Sequence, residues 1–206
     1  LNLTAHWDGT VNSFTWSKDN RKIYFVAPSK GTVQLFELVV PTNFKNKSLA
    51  SIKQISEGNF DITGIIGQVD NHLIVTSTKF TRATEVYRYD LKSKKLTPLT
   101  TVNDTIYAQI SDNKIESRIT KASDGQDLFS WVIYPPDFDP TKKYPTILYC
   151  EGGPQSALTQ FYSFRWNLQL IASQGYIVIA PNRRGMPGWG VKWNEAISKD
   201  WGGQPI

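Results

Sequence analysis

The stretch Tyr144-Pro145-Thr146-Ile147-Leu148-Tyr149-Cys150-Glu151-Gly152-Gly153-Pro154 joins an apolar strand to a glycine turn. Residues 147–150 form a continuous apolar run, the pattern of a strand that is covered on both faces in a parallel sheet. The two glycines that follow can adopt positive φ, and they let a ligand approach the backbone closely. Pro154 has no N–H to donate and restricts the exit of the turn. The residues therefore predict either an ordinary strand-to-loop turn or a backbone site for a ligand.

A helix and a second apolar strand are predicted after this turn. Apolar residues recur with a helical period at Phe161, Phe164, Leu168 and Ile171. Gly175 stands where helices commonly end, and residues 176–180 form a second apolar strand. Strand, helix and strand in this order predict a right-handed βαβ unit with a ligand site at the carboxyl ends of its strands. The loop 182–185 lies at that end, and residues 189–197 predict a further helix.

The first half of the chain has a different pattern, with short β segments and turns. Predicted strands cover residues 11–17, 21–27, 32–40 and 52–55, and then 60–69, 72–78, 84–91 and 95–99. Aligning Phe36 with Tyr87 gives a repeat of about 51 residues between the two groups. Four strands that repeat at this spacing are typical of propeller blades, so two blades are predicted. Two blades cannot close a ring by themselves.

The pattern changes again at a hairpin formed by residues 116–134. Its turn, Ser123-Asp124-Gly125-Gln126, contains the Asp-Gly pair that is a strong hairpin signal. We therefore predict a mixed fold with two parts. Residues 1–115 form two all-β blades of a partial propeller, and residues 116–206 form the beginning of an α/β domain.

Composition excludes several classes of protein. Hydrophobic residues make up 40% and charged residues 20% of the 206 residues, as in globular proteins. The net charge of +5 includes no dense run of Lys or Arg, so no nucleic-acid partner is predicted. No apolar stretch reaches the roughly 18 residues of a membrane span. The single cysteine, Cys150, is predicted to be a small buried side chain, and neither a metal nor a cofactor site is indicated.

An ordered set of motifs resembles the prolyl oligopeptidase family of serine peptidases. The set runs from the Asp-Gly hairpin through Pro-Pro-Asp-Phe-Asp, Lys-Tyr-Pro, Glu-Gly-Gly-Pro-Gln-Ser and Gly-Tyr-Ile-Val-Ile-Ala-Pro-Asn-Arg-Arg-Gly to Asp-Trp-Gly-Gly. It covers residues 116–204 closely and is similar to the dipeptidyl peptidase V-like and acylaminoacyl-peptidase-like branch. The resemblance implies a β-propeller followed by an α/β-hydrolase domain that hydrolyses short peptides, with the propeller restricting access. It also favours a periplasmic or secreted location over a cytoplasmic one.

The catalytic triad of that family is absent from these residues. The family places its nucleophile in Gly-x-Ser-x-Gly, followed along the chain by Asp and then His. This sequence has no such elbow, and its two histidines, His6 and His72, lie in the predicted propeller half. The resemblance therefore implies that the sequence is an internal fragment, that the triad lies beyond Ile206, and that residues 1–206 alone are inactive.

The resemblance assigns the oxyanion turn to Gly153 first and Gly152 second. A side chain that donates a hydrogen bond to the oxyanion is not expected beside these glycines, because an ionised Glu151 only accepts hydrogen bonds. Glu151 is thus predicted to be either a substrate-facing or a structural carboxylate.

Three further residues are candidates for substrate binding. Arg183 and Arg184 follow the second apolar strand, where they would contact carboxylates or carbonyls or would form structural ion pairs. Trp189 would line a substrate pocket or pack in the interior.

Two other functions compete with the peptidase hypothesis. A chain without a nucleophile could be a non-catalytic binding or interaction module. An esterase on the same fold is less expected, because esterases usually lack propeller blades. We also predict separately packed halves, with self-association through unpaired sheet edges and apolar faces that include Ile147, Leu148, Ile177 and Val178.

Overall fold

The computed structural model describes residues 2–42 and 50–205, and within them the chain forms three four-stranded sheets. The first sheet contains β1 (Ser13–Trp16), β2 (Lys22–Ser29), β3 (Thr32–Val39) and β4 (Ser51–Gln54). The second contains β5 (Asp61–Val69), β6 (His72–Lys79), β7 (Arg82–Asp90) and β8 (Leu96–Pro98). Both sheets are antiparallel, and their strands follow chain order. The four-strand repeat that the sequence predicts is thus present twice.

The first two sheets pack against each other through their alternate apolar residues. Tyr24, Val26 and Leu35 of the first sheet share a buried cluster with Leu73, Val75 and Tyr89 of the second. Successive residues of a strand point to opposite faces of its sheet. The alternate apolar residues of these strands therefore lie on one face, and that face packs in this cluster.

The third sheet contains β9 (Ile115–Lys121), β10 (Asp127–Ile133), β11 (Thr146–Leu148) and β12 (Ile177–Pro181), in the order β11-β12-β10-β9. β9 and β10 form the predicted hairpin, and its Gly125 has a φ of +82°. β11 and β12 are parallel, with Ile147 beside Val178, as the strand-helix-strand order predicts. The described residues also contain three short helices, namely α1 (Asp104–Tyr107), α2 (Leu168–Ala172) and α3 (Val191–Glu195).

Two predictions about the apolar strands are wrong. Leu148 is 61% exposed and Cys150 is also exposed, so the strand is not covered on two faces; the exposure of Leu148 agrees with the other prediction, of an uncovered apolar face. β11 is an edge strand, and the predicted cover is missing from one of its faces. Val178, expected on an uncovered face, is fully buried in the core that includes Leu168 and Ala172 of α2.

Both predicted helices are shorter than their apolar patterns indicate. α2 begins only at Leu168, and Phe164 upstream of it is 87% exposed. Ser163 Oγ accepts from the N–H of Trp166 at 2.9 Å, and Asn167 Oδ1 accepts from the N–H of Leu170 at 3.0 Å. These local bonds favour a turn before the helix and a cap at its start. α3 begins at Val191, whose N–H donates to the Asp8 carboxylate at 2.6 Å.

Each half of the chain has its own buried clusters, and two turns of the first half contact the core of the third sheet. Phe80, in the β6–β7 turn, packs within the core of the third sheet at 5.9 Å from the ring of Trp131. The indole N–H of Trp131 donates to the carbonyl of Gly31, in the β2–β3 turn, at 3.0 Å. Gly31 has a φ of +82°, and a Cβ there would lie 2.5 Å from Phe129. Both turns therefore dock on the third sheet.

Asp61 is a buried carboxylate at this junction. It is 2% exposed and accepts a hydrogen bond from the N–H of Val33 at 2.8 Å. It also accepts from the Thr159 side chain and the Gln160 backbone. Burial raises the pKa of Asp61 to about 6, while these three hydrogen bonds act in the opposite direction.

The burial of Asp61 predicts that stability falls as pH rises. A folded-state pKa above the unfolded value contributes stability that is complete below about pH 3.8 and is lost as pH passes through about 6. Asp61→Asn keeps a neutral acceptor at every pH. Relative to the wild type, we expect its free energy of unfolding to rise by up to about 3 kcal/mol between pH 4 and pH 7.

Thermal unfolding of both proteins from pH 4 to pH 8 measures this difference. The matched control is Asp70→Asn, at an exposed aspartate in the β5–β6 turn. Stability curves of Asp61→Asn and the wild type that run parallel over this range would refute the assignment.

Three further predictions concern membrane spans, metal sites and the edges of the sheets. None of the helices within residues 2–42 and 50–205 could span a membrane. The same ranges contain no group of three or more His, Cys, Asp or Glu residues that could hold a metal ion. Self-association through the edges of the sheets stays a prediction.

Candidate active site

The glycine turn lies directly after β11. The N–H of Tyr149 donates to the carbonyl of Ile179 at 2.8 Å, which extends the pairing of β11 with β12 by one residue. Gly153 then adopts a φ of +132°, and a Cβ at this position would lie 2.7 Å from Ser156 Oγ. Nothing lies within 4 Å of a Cβ built on Gly152. The turn therefore requires glycine at position 153 and tolerates a side chain at position 152.

Two backbone donors of this turn have no partner in the described part of the chain. No residue in ranges 2–42 and 50–205 accepts a hydrogen bond from the N–H of Gly152 or from that of Gly153. Adjacent free N–H groups can stabilise an oxyanion when they lie where negative charge develops. The turn can therefore supply backbone donors to a ligand.

Arg183 holds the start of the turn. Its Nη2 donates to the carbonyl of Glu151 at 3.3 Å, and its Nη1 donates to the carbonyl of Arg184 at 3.0 Å. The backbone carbonyl of Arg183 accepts from the indole N–H of Trp193 at 3.1 Å, so α3 fixes the loop that carries this arginine. None of the ion pairs formed within the described residues includes Arg183.

Glu151, Gly152 and Arg183 line one cavity. It has a volume of about 1070 Å³ and extends over the open face of the third sheet. Its apolar wall includes Leu148, Ile177, Ile179, Val132 and Trp201. The structure thus brings three of the predicted site residues together beside a large apolar surface, with Gly153 next to them in the turn.

Tyr149 is a residue of this region that the sequence reasoning missed. Burial, together with a hydrogen bond to the Glu151 carboxylate, raises the pKa of the Tyr149 hydroxyl to about 12. The i, i+2 spacing of Tyr149 and Glu151 is the available signal, because alternate residues of an extended segment lie on one side. Glu151 therefore has a structural partner as well as a position in the cavity.

Arg184 and Trp189 lie outside that cavity. The side chain of Arg184 forms an ion pair with Asp124 of the β9–β10 turn and lies 5.0 Å from the centre of the Trp193 ring. The ring of Trp189 packs 5.4 Å from that of Phe129. Arg184 and Trp189 instead line a second cavity of about 580 Å³ between the hairpin turn and α3.

The remaining nucleophile and base candidates are also placed by the structure. Cys150 lines the cavity that contains Gly152. His72 lies in β6, with Nε2 at 3.0 Å from an oxygen of Asp90, and His6 is exposed. Among the described residues, neither histidine lies in the cavity beside the glycine turn.

The chain is similar to peptidases in both sequence and fold. The Prolyl oligopeptidase family model matches residues 162–206. Dipeptidyl-peptidase 5 of Porphyromonas gingivalis is 42% identical over 199 residues, which are 96% of this chain and 28% of that protein. Probable dipeptidyl-peptidase 5 of Aspergillus clavatus is 30% identical over 98% of this chain and 28% of its own length. The chain thus spans a little over a quarter of these curated relatives.

Solved structures share the fold of the chain. An acylaminoacyl peptidase in complex with Z-Gly-Gly-Phe-chloromethyl ketone matches with a TM-score of 0.79 and 24% identity, over 98% of this chain and 30% of that one. The acylaminoacyl peptidase of Pyrococcus horikoshii matches with a TM-score of 0.74 and 24% identity, over 95% of this chain and 28% of its own. The family model and the sequence relatives confirm the predicted resemblance to the prolyl oligopeptidase family.

Proposed function

We propose that this sequence is part of a serine peptidase of the prolyl oligopeptidase family, which hydrolyses short peptides by acyl transfer. One observation carries the proposal. In this chain, which is similar to dipeptidyl peptidases, the N–H groups of Gly152 and Gly153 lie at the carboxyl end of a sheet strand and have no acceptor among the described residues. Ligands bind at this end of the strands in α/β sheets.

In this proposal the chain contains two kinds of domain. Residues 1–115 are two blades of a β-propeller, which is supported by the two sheets of four antiparallel strands in chain order. Residues 116–206 are the first part of an α/β-hydrolase domain, which is supported by the parallel pairing of β11 with β12. The catalytic Ser, Asp and His are supplied by residues outside this sequence.

The glycine turn has a defined role in acyl transfer. When the serine attacks the peptide carbonyl, its oxygen gains negative charge, and preorganised N–H groups stabilise that charge. Gly153 and Gly152 donate to this oxygen, and their N–H groups have no other acceptor among residues 2–42 and 50–205. Glu151 and Arg183 contact the substrate or hold the turn beside it. No metal or other cofactor takes part.

The test uses the full-length protein that contains this sequence. Dipeptidyl 4-nitroanilides with a free amino terminus, and N-acylaminoacyl 4-nitroanilides, are offered separately at neutral pH. We expect hydrolysis of at least one class, and we expect a fluorophosphonate probe to label one serine and abolish it. Absence of both turnover and labelling would contradict the proposal.

Peptide binding without turnover or labelling would instead support the non-catalytic binding module. A periplasmic or secreted location remains a prediction from the family resemblance.

A further inference from the structure

We propose that Arg183 is a positioning residue, which orients and polarises the N–H of Gly152 through the peptide bond between Glu151 and Gly152. This inference rests on the proposed function, because it assigns Gly152 a donor role toward an oxyanion. It goes further by naming the side chain that prepares that donor.

The geometry of the peptide bond supplies the first step. The Glu151 carbonyl and the Gly152 N–H belong to one peptide unit, which is planar and, when trans, directs them to opposite sides. The guanidinium of Arg183 donates to that carbonyl at 3.3 Å. Holding the oxygen therefore fixes the direction of the N–H on the other side of the same plane.

Charge supplies the second step. A cation that donates to a peptide oxygen draws electron density toward it, and hydrogen bonds in a chain polarise one another. The N–H of the same peptide thereby becomes a stronger donor. Arg183 is suited to this role because it forms none of the ion pairs among the described residues. Its charge remains directed at the carbonyls of Glu151 and Arg184.

The flexibility of Gly152 explains why such a device is needed. Nothing lies within 4 Å of a Cβ built on Gly152, so packing does not restrain this residue. Its N–H has no acceptor in the described ranges that would hold its direction. The backbone of Arg183 is itself held in place. Its carbonyl accepts hydrogen bonds from the indole N–H of Trp193 at 3.1 Å and from the backbone N–H of Met186 at 3.1 Å.

The neighbouring arginine provides a matched control. Arg184 has the same chemistry, but its side chain pairs with Asp124 outside the cavity that contains Gly152. Substitution of Arg184 removes an ion pair and a contact with Trp193, and it leaves the Glu151 carbonyl untouched. The two arginines therefore separate an effect on the turn from an effect on stability.

The experiment compares Arg183→Met, Arg183→Lys and Arg184→Met in the full-length protein. For Arg183→Met we expect kcat to fall about 10-fold or more, the effect of losing a hydrogen bond from a charged group, with KM within about twofold. The Kd of a dipeptide boronate, which mimics the tetrahedral intermediate, should rise by the same factor as kcat/KM falls. Arg183→Lys should recover part of both losses, since it restores a charge without the planar fork.

Arg184→Met should lower Tm and leave kcat and the boronate Kd within about twofold of the wild type. Two results would overturn the role of Arg183 while the wild type remains an active peptidase. One is a raised KM with unchanged kcat, which would make Arg183 a substrate-binding group. The other is a lowered Tm with unchanged boronate Kd in the folded variants. A wild-type protein that neither turns over substrate nor binds boronate would instead overturn the proposed function, and this inference with it.

Discussion

A protein that consists of residues 1–206 alone is expected to show no peptidase turnover. Neither of its two histidines lines the cavity that contains Gly152, since His72 lies in β6 beside Asp90 of β7 and His6 is exposed near the amino terminus. In a serine protease, loss of the triad lowers kcat by roughly 10⁶-fold and leaves only binding and oxyanion contributions. The expected rate is therefore below ordinary detection.

This prediction is measured with the same 4-nitroanilide substrates that are used for the full-length protein. Active-site titration with a fluorophosphonate shows whether a competent serine is present. The full-length protein serves as the positive control at equal molar concentration. Titratable turnover by residues 1–206, with a stoichiometry near one, would show that this chain contains its own nucleophile and base.

The second large effect is expected from Gly153→Pro in the full-length protein. Proline removes the N–H and fixes φ near −65°, whereas Gly153 adopts +132°. We expect kcat to fall roughly 10²–10³-fold, the effect of losing one oxyanion donor. Steady-state kinetics, with Tm measured in parallel, separates this loss from a failure to fold.

Gly152→Ala is the matched control for the glycine turn. A methyl group at this position has no neighbour within 4 Å, and alanine retains the N–H. Its kcat should stay within a few-fold of the wild type. A folded Gly153→Pro variant with unchanged kcat would assign the oxyanion site to another part of the protein.

Local patterns are sufficient to predict much of this fold. The strands of the first two sheets alternate in burial over many residues, and turns such as Lys30-Gly31 and Asp70-Asn71 separate them. The parallel pair of β11 and β12 follows from the order strand, helix, strand, because such a connection places both strands in one sheet. These features depend on neighbours in sequence, so the sequence alone reveals them.

Features that depend on distant neighbours were not predictable in the same way. The exposure of Leu148 and Cys150 depends on which elements cover β11, and an apolar run cannot reveal that. The start of α2 was missed for a different reason, because the local side-chain hydrogen bonds of Ser163 and Asn167 compete with the apolar period. The packing of Phe80 against the third sheet was not predicted, because an apolar residue in a turn does not indicate which distant residues it contacts.

The two arginines show the same limit at the candidate site. Arg183 and Arg184 are identical in type and adjacent in sequence, so both were candidates for substrate binding, with a structural ion pair as the alternative. Only the fold distinguishes them, because Asp124 approaches Arg184 from a hairpin 60 residues earlier in the chain. The residue type predicts which interactions a side chain can form, whereas tertiary packing determines which partner it contacts.

The central claim is that the Gly152–Gly153 turn binds the oxyanion of a serine peptidase. A crystal structure of the full-length protein with a dipeptide boronate bound to its serine tests this claim most directly. We predict a boronate oxygen at about 2.7–3.1 Å from the backbone nitrogen of Gly153 or Gly152. A boronate oxygen that lies more than about 4 Å from both nitrogens, beyond hydrogen-bond reach, and is bound by other donors would contradict the account.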